Sequence, residues 1–419
     1  MAKTTYRWNA GTPACQTYVS KGALGFASLK PRGCPAHSTP YIGSTCLCDA
    51  GYIAQGDQCV LDNPEPETCP APDGAQTGKP IIPATGEKRY TEPDYAGTGP
   101  HSLSLTRSFR SRWSTGLAPA FASTTGLGQA WSHNHAANFS ISGPTSARIE
   151  YGNGSTQGLS WDAATGAWNA SAGTSSLVPT TTPVVGHLLT RSEDDSRWQF
   201  DATGKILSVT QRNGWVTRYS YNSTGQLSTV TNHFGRSLQF TYNAAGQLST
   251  ATTPDGQTIR YTFDSASRLN SVVYPGNVSK TYLYEDSRWP QSVTGIIDER
   301  AMRLATVAYD ALGRAVESGY AGGADNYKVS YPASADAPTT VTDPLGTTRN
   351  YSYGKILGKL VVTGANLPSG VGQADAFSRV QNASGLIELE TDFLGVQTLY
   401  NWDQQRRLPL STTQAAGRP

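Results

Sequence analysis

The stretch "YSYNSTGQLSTV", residues 219–230, decides the fold, because the chain repeats it twice with small changes. Residues 240–251 are "FTYNAAGQLSTA" and residues 261–272 are "YTFDSASRLNSV", each beginning 21 residues after the previous one. The aromatic positions persist while the polar positions vary. A fixed period of this length predicts a repeat architecture in which each repeat forms one supersecondary unit.

One aromatic position marks each unit over about 210 residues. The spacing is 21 residues for the first five positions and then 25, 22 and 22 for the next three, before a tryptophan ends the series. The predicted repeat aromatics are Phe200, Tyr221, Tyr242, Phe263, Tyr284, Tyr309, Tyr331, Tyr353 and Trp402.

The residues of one unit predict a β-hairpin. Alternation along a strand places the two aromatics of Tyr219-x-Tyr221 on one face. Asn222 can hydrogen-bond the following backbone, and Gly225 supplies the positive φ that the reversal needs. The chain then returns with Leu227, and a second turn such as Asn213-Gly214 joins neighbouring units. Because a lone hairpin is marginally stable in water, successive hairpins must pair edge to edge into one long, twisted antiparallel sheet.

The chain divides by composition into three predicted domains. Residues 1–75 contain all the cysteines and end in a Pro-, Gly- and acid-rich linker. Residues 76–190 contain short alternating runs such as "HSLSLTRSF" and "SARIEYGNG", which predict antiparallel strands. Residues 191–419 contain the repeats. The predicted fold class is therefore all-β, with a small disulfide-rich module, a β-rich domain and a repeat sheet.

The six cysteines predict a local disulfide framework. They are Cys15, Cys34, Cys46, Cys48, Cys59 and Cys69. The segment "CLCDAGYIAQGDQC", residues 46–59, resembles the second half of EGF-like modules, and that resemblance implies a Cys48–Cys59 bridge; the other pairings stay open. Zinc is the alternative, but a C-x-C spacing with His37 as the nearest histidine does not favour it.

Disulfides indicate export, so we expect a secreted or cell-surface protein. The first residues, "MAKTTYRW", do not form a signal peptide, and we expect that a leader has been removed. A cytosolic chain with reduced cysteines is the alternative. No apolar run approaches the roughly 18 residues of a membrane-spanning helix. The net charge of only +2, with no basic run, argues against a nucleic-acid partner.

Two polar clusters are candidate sites. In "HNH", His133 and His135 would share a strand face, an arrangement that can suit a metal, although no third ligand is visible. The cluster "SEDDSR", Ser192–Arg197, could supply paired carboxylates for glycoside hydrolysis, but a solvated turn explains it better. Sequons at Asn222, Asn277 and Asn350 fall at or near repeat turns and need no glycosylation to explain them.

No nucleophile elbow, phosphate-binding loop or dinucleotide fingerprint occurs in the sequence. We therefore predict no catalytic residue, no cofactor and no metal, and a protein that is not an enzyme. Rows of exposed tyrosines could also stack against sugar rings, so glycans are a further candidate partner. The alternative role for these tyrosines is packing as the core of the sheet.

The units "YSYNSTGQL", "FTYNAAGQL" and "VAYDALGRA" resemble the YD repeats of RHS-repeat proteins. Residues 83–112 and 126–139 resemble the β-rich domain that precedes the repeats in bacterial members, so the resemblance spans about residues 77–419. It implies a hollow β-cage that encapsulates a protein toxin for interbacterial competition or host interaction. The implied partners are that guest or other chains of the assembly.

The family's cages use more repeats than the eight or nine found here, and the last unit is followed by "QAAGRP". Whether these units form a partial or a complete β-cage therefore stays open. Three descriptions stay open: a fragment, a component of a split shell and a stand-alone secreted relative. An extracellular adhesion protein that binds carbohydrate or assembles into fibres is the alternative function, because a sheet that is not closed keeps edges that can pair with other chains.

Overall fold

The structure is a computed structural model. Before residue 77 it describes six short strands without their side chains. From there it describes residues 77, 79–115, 125–143, 145–170, 175–192, 194–332, 337–356, 359–368, 376–404 and 407–415. The chain forms two compact units, one of residues 1–64 with 333–337, and one of residues 65–332 with 338–419.

The first unit contains three antiparallel strand pairs. They are β1 (Thr5–Trp8) with β2 (Cys15–Tyr18), β3 (Ser38–Tyr41) with β4 (Thr45–Cys48), and β5 (Tyr52–Gln55) with β6 (Gln58–Leu61). All six cysteines lie outside the residues whose side chains are described. The Cys48–Cys59 bridge and the EGF-like module therefore stay predictions.

The second unit opens with a four-stranded antiparallel sheet of order β10-β9-β8-β7, which we call the cover sheet. Its strands are β7 (Ile81–Ile82), β8 (Glu87–Ala96), β9 (Ser104–Arg110) and β10 (Trp131–His133). A short 3₁₀ helix, Ser111–Thr115, follows β9. The cover sheet lies within the region that the sequence predicts to be β-rich.

The remaining strands form one antiparallel sheet of 26 strands in chain order, the repeat sheet. Its first strands are β11 (Ala137–Gly143), β12 (Ser146–Tyr151), β13 (Thr156–Asp162), β14 (Ala167–Ala170), β15 (Ser176–Thr180), β16 (Gly186–Thr190), β17 (Arg197–Asp201) and β18 (Ile206–Thr210). The central strands are β19 (Val216–Tyr221), β20 (Leu227–Thr231), β21 (Ser237–Tyr242), β22 (Leu248–Thr252), β23 (Thr258–Phe263), β24 (Leu269–Tyr274), β25 (Val278–Leu283) and β26 (Gly295–Ile297). The last strands are β27 (Arg303–Tyr309), β28 (Ala315–Tyr320), β29 (Tyr327–Ser330), β30 (Thr339–Thr342), β31 (Thr348–Ile356), β32 (Lys359–Ala365), β33 (Ser378–Gln381), β34 (Ile387–Thr391), β35 (Gln397–Asp403) and β36 (Leu408–Gln414). A second 3₁₀ helix, Ala321–Gly323, follows β28.

The all-β prediction and the long antiparallel sheet are confirmed. The sheet begins at β11, so it already includes strands before residue 191. Seven of the repeat aromatics lie beside a register shift, as between Ser220 and Tyr221. The sequence reasoning did not anticipate this β-bulge, which increases the local twist of the strand.

The repeat turns form as predicted. The Asn222 side-chain oxygen accepts the backbone N–H groups of Thr224 and Gln226, at 3.1 and 2.9 Å. Gly225 adopts a φ of 81°. At the equivalent position of the third unit, Ser267 replaces glycine and still adopts a φ of 60°. The side chain of the first turn residue, Asp264, holds that turn in the same way by accepting the backbone N–H of Ala266.

The first strands of the repeat sheet curl until β11 meets β18. The backbone N–H of Phe139 donates to the Gly204 carbonyl at 2.9 Å, and Asn138 forms an isolated antiparallel bridge with Lys205. Strands β11–β18 thereby enclose a core of their own, which includes Phe139, Ile149 and Phe200.

Two further cores fill the rest of the unit. The largest lies between the cover sheet and strands β20–β26. The other joins Ile81 of β7 to side chains of β27–β32. Among the described residues, no helix is both long and apolar enough to cross a membrane.

Candidate functional site

The repeat aromatics form a hydrogen-bonded ladder along the repeat sheet. The Tyr221 hydroxyl donates to the carbonyl of Ile206 at 2.8 Å, and Tyr242 repeats this contact with Leu227 at 2.7 Å. Each acceptor belongs to the hydrophobic residue that follows the first turn of the preceding unit. We call each such hydrogen bond a rung of the ladder. In the further rungs, a side-chain O–H or N–H donates to a backbone carbonyl: Tyr284 to Leu269, Tyr309 to Val293, Tyr331 to Ala315, and Trp402 Nε1 to Ile387.

Burial keeps these hydroxyls protonated. It raises the pKa of Tyr221, Tyr242 and Tyr284 well above the ordinary value of 10.0. A protonated hydroxyl can donate to a carbonyl, whereas a phenolate could not. The polar end of each ring therefore bonds the neighbouring unit.

The other predicted aromatics also lie in the described part of the chain. Phe200 is fully buried in the core of β11–β18. Phe263 packs against the largest core, and Tyr353 packs against the core of β27–β32. No single pocket brings the predicted aromatics together, because they lie in successive strands along the sheet.

A second and deeper row of aromatics was not singled out by the sequence reasoning. It lies two residues before the ladder, at Tyr219, Phe240, Tyr261 and Tyr282. Tyr282 is 1% exposed and Phe240 is 5% exposed, whereas Tyr242 is only partly buried. The Tyr-x-Tyr pattern signals both rows, but only tertiary packing shows which is deeper. We call the face that carries both rows the aromatic face.

The cover sheet packs on the aromatic face of β20–β26. Its contacts include Phe109 and Trp131, whose rings lie 5.2 Å apart, and Trp131 lies 4.7 Å from the ring of Tyr282. The segment before β10 also bonds the repeat backbone, because Leu248 N–H donates to the Gly126 carbonyl at 2.9 Å. A Cβ at Gly126 would lie 2.7 Å from Leu248 N, so this close approach requires glycine.

A buried ion pair connects the two sheets. Arg107 of β9 holds Asp94 of β8 through two contacts, Nε at 2.6 Å and Nη2 at 2.9 Å, and both side chains are 0% exposed. The remaining acceptor sites of Asp94 face the repeats. The hydroxyls of Tyr261 and Tyr274 each donate to it at 2.8 Å. Arg107 Nη2 in turn lies 2.9 Å from the Tyr282 hydroxyl. A fork-shaped guanidinium with hydrogen-bonded partners is the arrangement in which a buried pair can offset its desolvation.

Further charged groups surround this pair. Lys280 of β25 bonds Glu92 of β8 at 2.8 Å. Glu87 accepts from Arg110 at 2.8 Å. Burial alone would raise the pKa of Glu87, but the charges of Arg110 and Arg89 outweigh it and lower that pKa to about 2.

Lys88 is an almost fully buried amine, and burial lowers its pKa to about 7. Its Nζ lies 4.2 Å from the centre of the Tyr90 ring. That contact stabilises the cation.

The two polar clusters of the sequence lie in different places. His133 and His135 are buried at the interface of the cover sheet. Asp194 accepts from the backbone N–H and the hydroxyl of Ser196, at 3.0 and 2.6 Å, in an exposed turn. In the described part of the chain, no group of three or more potential ligands could hold a metal.

Strands β33–β36 present the aromatic face without the cover sheet. Tyr400 and Trp402 stack there with ring centres 6.1 Å apart, and both are partly exposed. The two cores that include residues of the cover sheet extend along the repeat sheet to β32. The aromatic face thus has a covered part and an accessible part.

Two family models match the chain. Residues 168–361 match the Teneurin YD-shell, and residues 78–157 match a domain of unknown function (DUF6531). A search of curated proteins gave no match.

The chain also matches crystal structures with the titles TcdB2-TccC3-Cdc42 and TcdB2-TccC3-TEV. The first is 12% identical over 80% of this chain and 22% of the other, with a TM-score of 0.37. The second is 11% identical over 83% and 22%, with a TM-score of 0.36. The chain therefore spans about a fifth of the length of these matched structures.

The 21-residue hairpins, the ladder of aromatic hydroxyls and the YD-shell match agree with one another. They show that residues 168–361 form YD repeats similar to those of the Teneurin YD-shell.

Proposed function

We propose that this protein is a non-enzymatic section of a β-shell that encloses a protein guest, a toxin, and takes part in its delivery. The observation that carries the proposal is the continuous antiparallel sheet of 26 strands with one aromatic face. Such a face can contact an unfolded or partly folded chain through apolar area without a specific catalytic site.

The cover sheet limits where a guest can bind. The aromatic face of β20–β26 is already occupied by residues such as Leu105 and Phe109 of the same chain. Among the described residues, Tyr400 and Trp402 in β35 are partly exposed and belong to neither core that includes the cover sheet. We therefore place guest contact on the aromatic face of β33–β36.

A protease-protection experiment tests this proposal. An unfolded, protease-sensitive polypeptide is fused after Pro419, and its rate of digestion is compared with that of the same polypeptide fused before Met1. Contact with β33–β36 predicts slower digestion of the C-terminal fusion, and faster digestion again in the variant Y400S/W402S. Equal rates for both fusions and for the variant would contradict the proposal.

Self-association is a second candidate function, because β36 exposes apolar side chains. Leu408 is 57% exposed and Leu410 is 64% exposed, and β36 pairs with β35 on one side. Exposed apolar edge strands favour pairing with other chains. Light scattering would then show a mass that grows with concentration in the wild type but not in L408K/L410K. A constant monomer mass of the wild type excludes self-association.

Glycan binding, secretion and the absence of enzymatic activity stay predictions from the sequence.

A further inference from the structure

His133 and His135 lie where the cover sheet meets the repeats. They are two residues apart in the sequence, at the end of β10, and both are buried, at 1% and 8% exposed. The His133 ring stacks on Phe240 of β21 with ring centres 5.6 Å apart and planes at 11°. The His135 ring lies 6.1 Å from that of Tyr219 in β19. Both imidazoles therefore become exposed only if the cover sheet leaves the aromatic face.

Burial favours the neutral form of both rings. His135 Nε2 lies 2.7 Å from the carbonyl of Ser104, so this nitrogen carries the proton and donates. Neither ring nitrogen of His133 has a hydrogen-bond partner in the described part of the chain. Burial, followed by the nearby His135, lowers the pKa of His133 to about 3, and burial lowers that of His135 to about 4.

The charged groups around the two rings do not compensate an imidazolium. Arg107 lies directly across the ladder from His133, and Lys205 lines the same cavity of about 10 Å³ as both histidines. The carboxylate of Asp94 is bonded to Arg107 and two tyrosines, and Glu92 is bonded to Lys280. The other titratable groups that face the rings are the hydroxyls of Tyr219 and Tyr221, which burial keeps protonated. Protonation would thus add charge beside two cations.

We propose that the contact between β10 and the aromatic face is an acid-labile latch, in which protonation of His133 and His135 releases the cover sheet from the repeats. In the docked state, with the cover sheet on the aromatic face, both imidazoles are neutral. In the released state, with the cover sheet away from that face, both imidazoles bind protons with the ordinary affinity of an exposed histidine. Release would expose the aromatic face of β19–β25, including Phe240 and Tyr282.

The sign and size of the effect follow from proton linkage. Because the docked rings have lowered pKa values, docking is fully stable above about pH 6.5 and weakens as the pH falls below it. Each histidine weakens docking by up to about tenfold per pH unit. For both histidines together, the equilibrium constant for docking of the cover sheet falls about a thousandfold between about pH 7.5 and pH 5.

Hydrogen–deuterium exchange of the full chain, corrected for the intrinsic pH dependence, measures this release. We expect the amides of β9 and β10 to lose protection by up to about a thousandfold between those pH values. The amides of β14 and β15 belong to the core of β11–β18, which contains no residue of the cover sheet, and serve as the internal reference.

A double variant tests the assignment to these two residues. In H133F/H135Q, phenylalanine keeps the stack on Phe240 and glutamine keeps a donor for the Ser104 carbonyl, but neither side chain titrates. We expect its β9 and β10 protection to be independent of pH, whereas H233Q, at an exposed histidine, should respond like the wild type. Unchanged protection in the wild type, or a persistent pH response in the double variant, overturns the latch.

A measurement on the wild type covers the case in which the double variant fails to fold. Nuclear magnetic resonance of labelled histidine Cε1–H groups follows the protonation of each ring. The latch requires both rings to be neutral in the docked state at pH 5.5. A docked state that protonates either ring near pH 6.5 contradicts it.

Discussion

The same repeat unit has two different environments in this molecule. In β21, Phe240 and Tyr242 lie under the cover sheet, and Phe240 is 5% exposed. In β35, Tyr400 and Trp402 occupy the corresponding positions; Tyr400 is partly exposed, whereas Trp402 is partly buried in the same way as Tyr242. The ladder bond is present in both places, from Tyr242 to the Leu227 carbonyl and from Trp402 to the Ile387 carbonyl.

The comparison separates two sources of stability. The hydrogen-bonded ladder forms between neighbouring repeat units, and it is present whether or not the cover sheet packs on them. Burial depends on a separate segment, β7–β10, which lies far away in the sequence. The outward side chains differ as well, since Gln239 of β21 corresponds to Leu399 of β35, which is 46% exposed. A repeat therefore specifies its own strands but not its burial.

The largest difference between the two regions should come from the buried ion pair. The substitution Arg107→Met leaves Asp94 buried without its cation, which costs about 3–5 kcal/mol of unfolding free energy. The exposed pair Arg303–Glu285 is the matched control, and Arg303→Met should cost less than about 1 kcal/mol. Urea unfolding followed by tryptophan fluorescence measures both; equal losses would show that the cover sheet does not bury Asp94.

A core substitution gives the next largest difference. Leu248 is 1% exposed under the cover, so Leu248→Ala should cost about 2–5 kcal/mol. Leu399 is half exposed, so Leu399→Ala should stay within about 0.5 kcal/mol of the wild type. Thermal unfolding of the two variants distinguishes them, and a large loss at Leu399 would indicate that β35 is covered after all.

The pH dependence of Glu87 provides a smaller, titratable difference. Its folded pKa of about 2 lies below the ordinary value of 4.5, so its contribution is present above pH 4.5 and disappears as the pH falls towards 2. The contribution is about 3 kcal/mol, from about 1.4 kcal/mol for each unit of pKa shift. We expect Glu87→Gln to flatten the fall in stability over this range. Arg303 lowers the pKa of Glu285 as well, but this carboxylate is exposed, so Glu285→Gln should flatten the fall much less; an identical effect of the two substitutions would argue against a buried Glu87.

The smallest effect concerns one rung of the ladder. Tyr242→Phe removes the hydroxyl that bonds Leu227, which should cost about 1 kcal/mol because the carbonyl loses its donor. In β35 the ladder bond comes from Trp402 and not from Tyr400, so Tyr400→Phe should have almost no effect on the free energy of unfolding. Denaturation midpoints measured under identical conditions test the pair; no loss in Tyr242→Phe would show that the ladder is not stabilising.

The sequence was sufficient to predict the local structure of the repeats. The 21-residue spacing, the Asn222 turn residue and Gly225 together predict the hairpin, and the structure contains it. Local interactions alone determine these features. The bulge beside Tyr221 was missed, because no residue in the pattern requires it.

Long-range contacts were beyond a sequence-based prediction. Asp94 and Tyr261 are 167 residues apart, and nothing in either segment indicates that they form a hydrogen bond. Similarly, the pattern "HNH" indicates two imidazoles on one strand face, but nothing in it indicates that the rings pack against Phe240 and Tyr219. The bridge between Asn138 of β11 and Lys205, the residue before β18, is another such contact.

Hydroxyl-radical footprinting of the full chain tests the central claim most directly, because oxidation of aromatic side chains reports their exposure. The claim is that the cover sheet occupies one part of the aromatic face and leaves another part accessible. It predicts strong protection of Phe240, Tyr261 and Tyr282 and ready oxidation of Tyr400 and Trp402. Similar oxidation of both groups would contradict it.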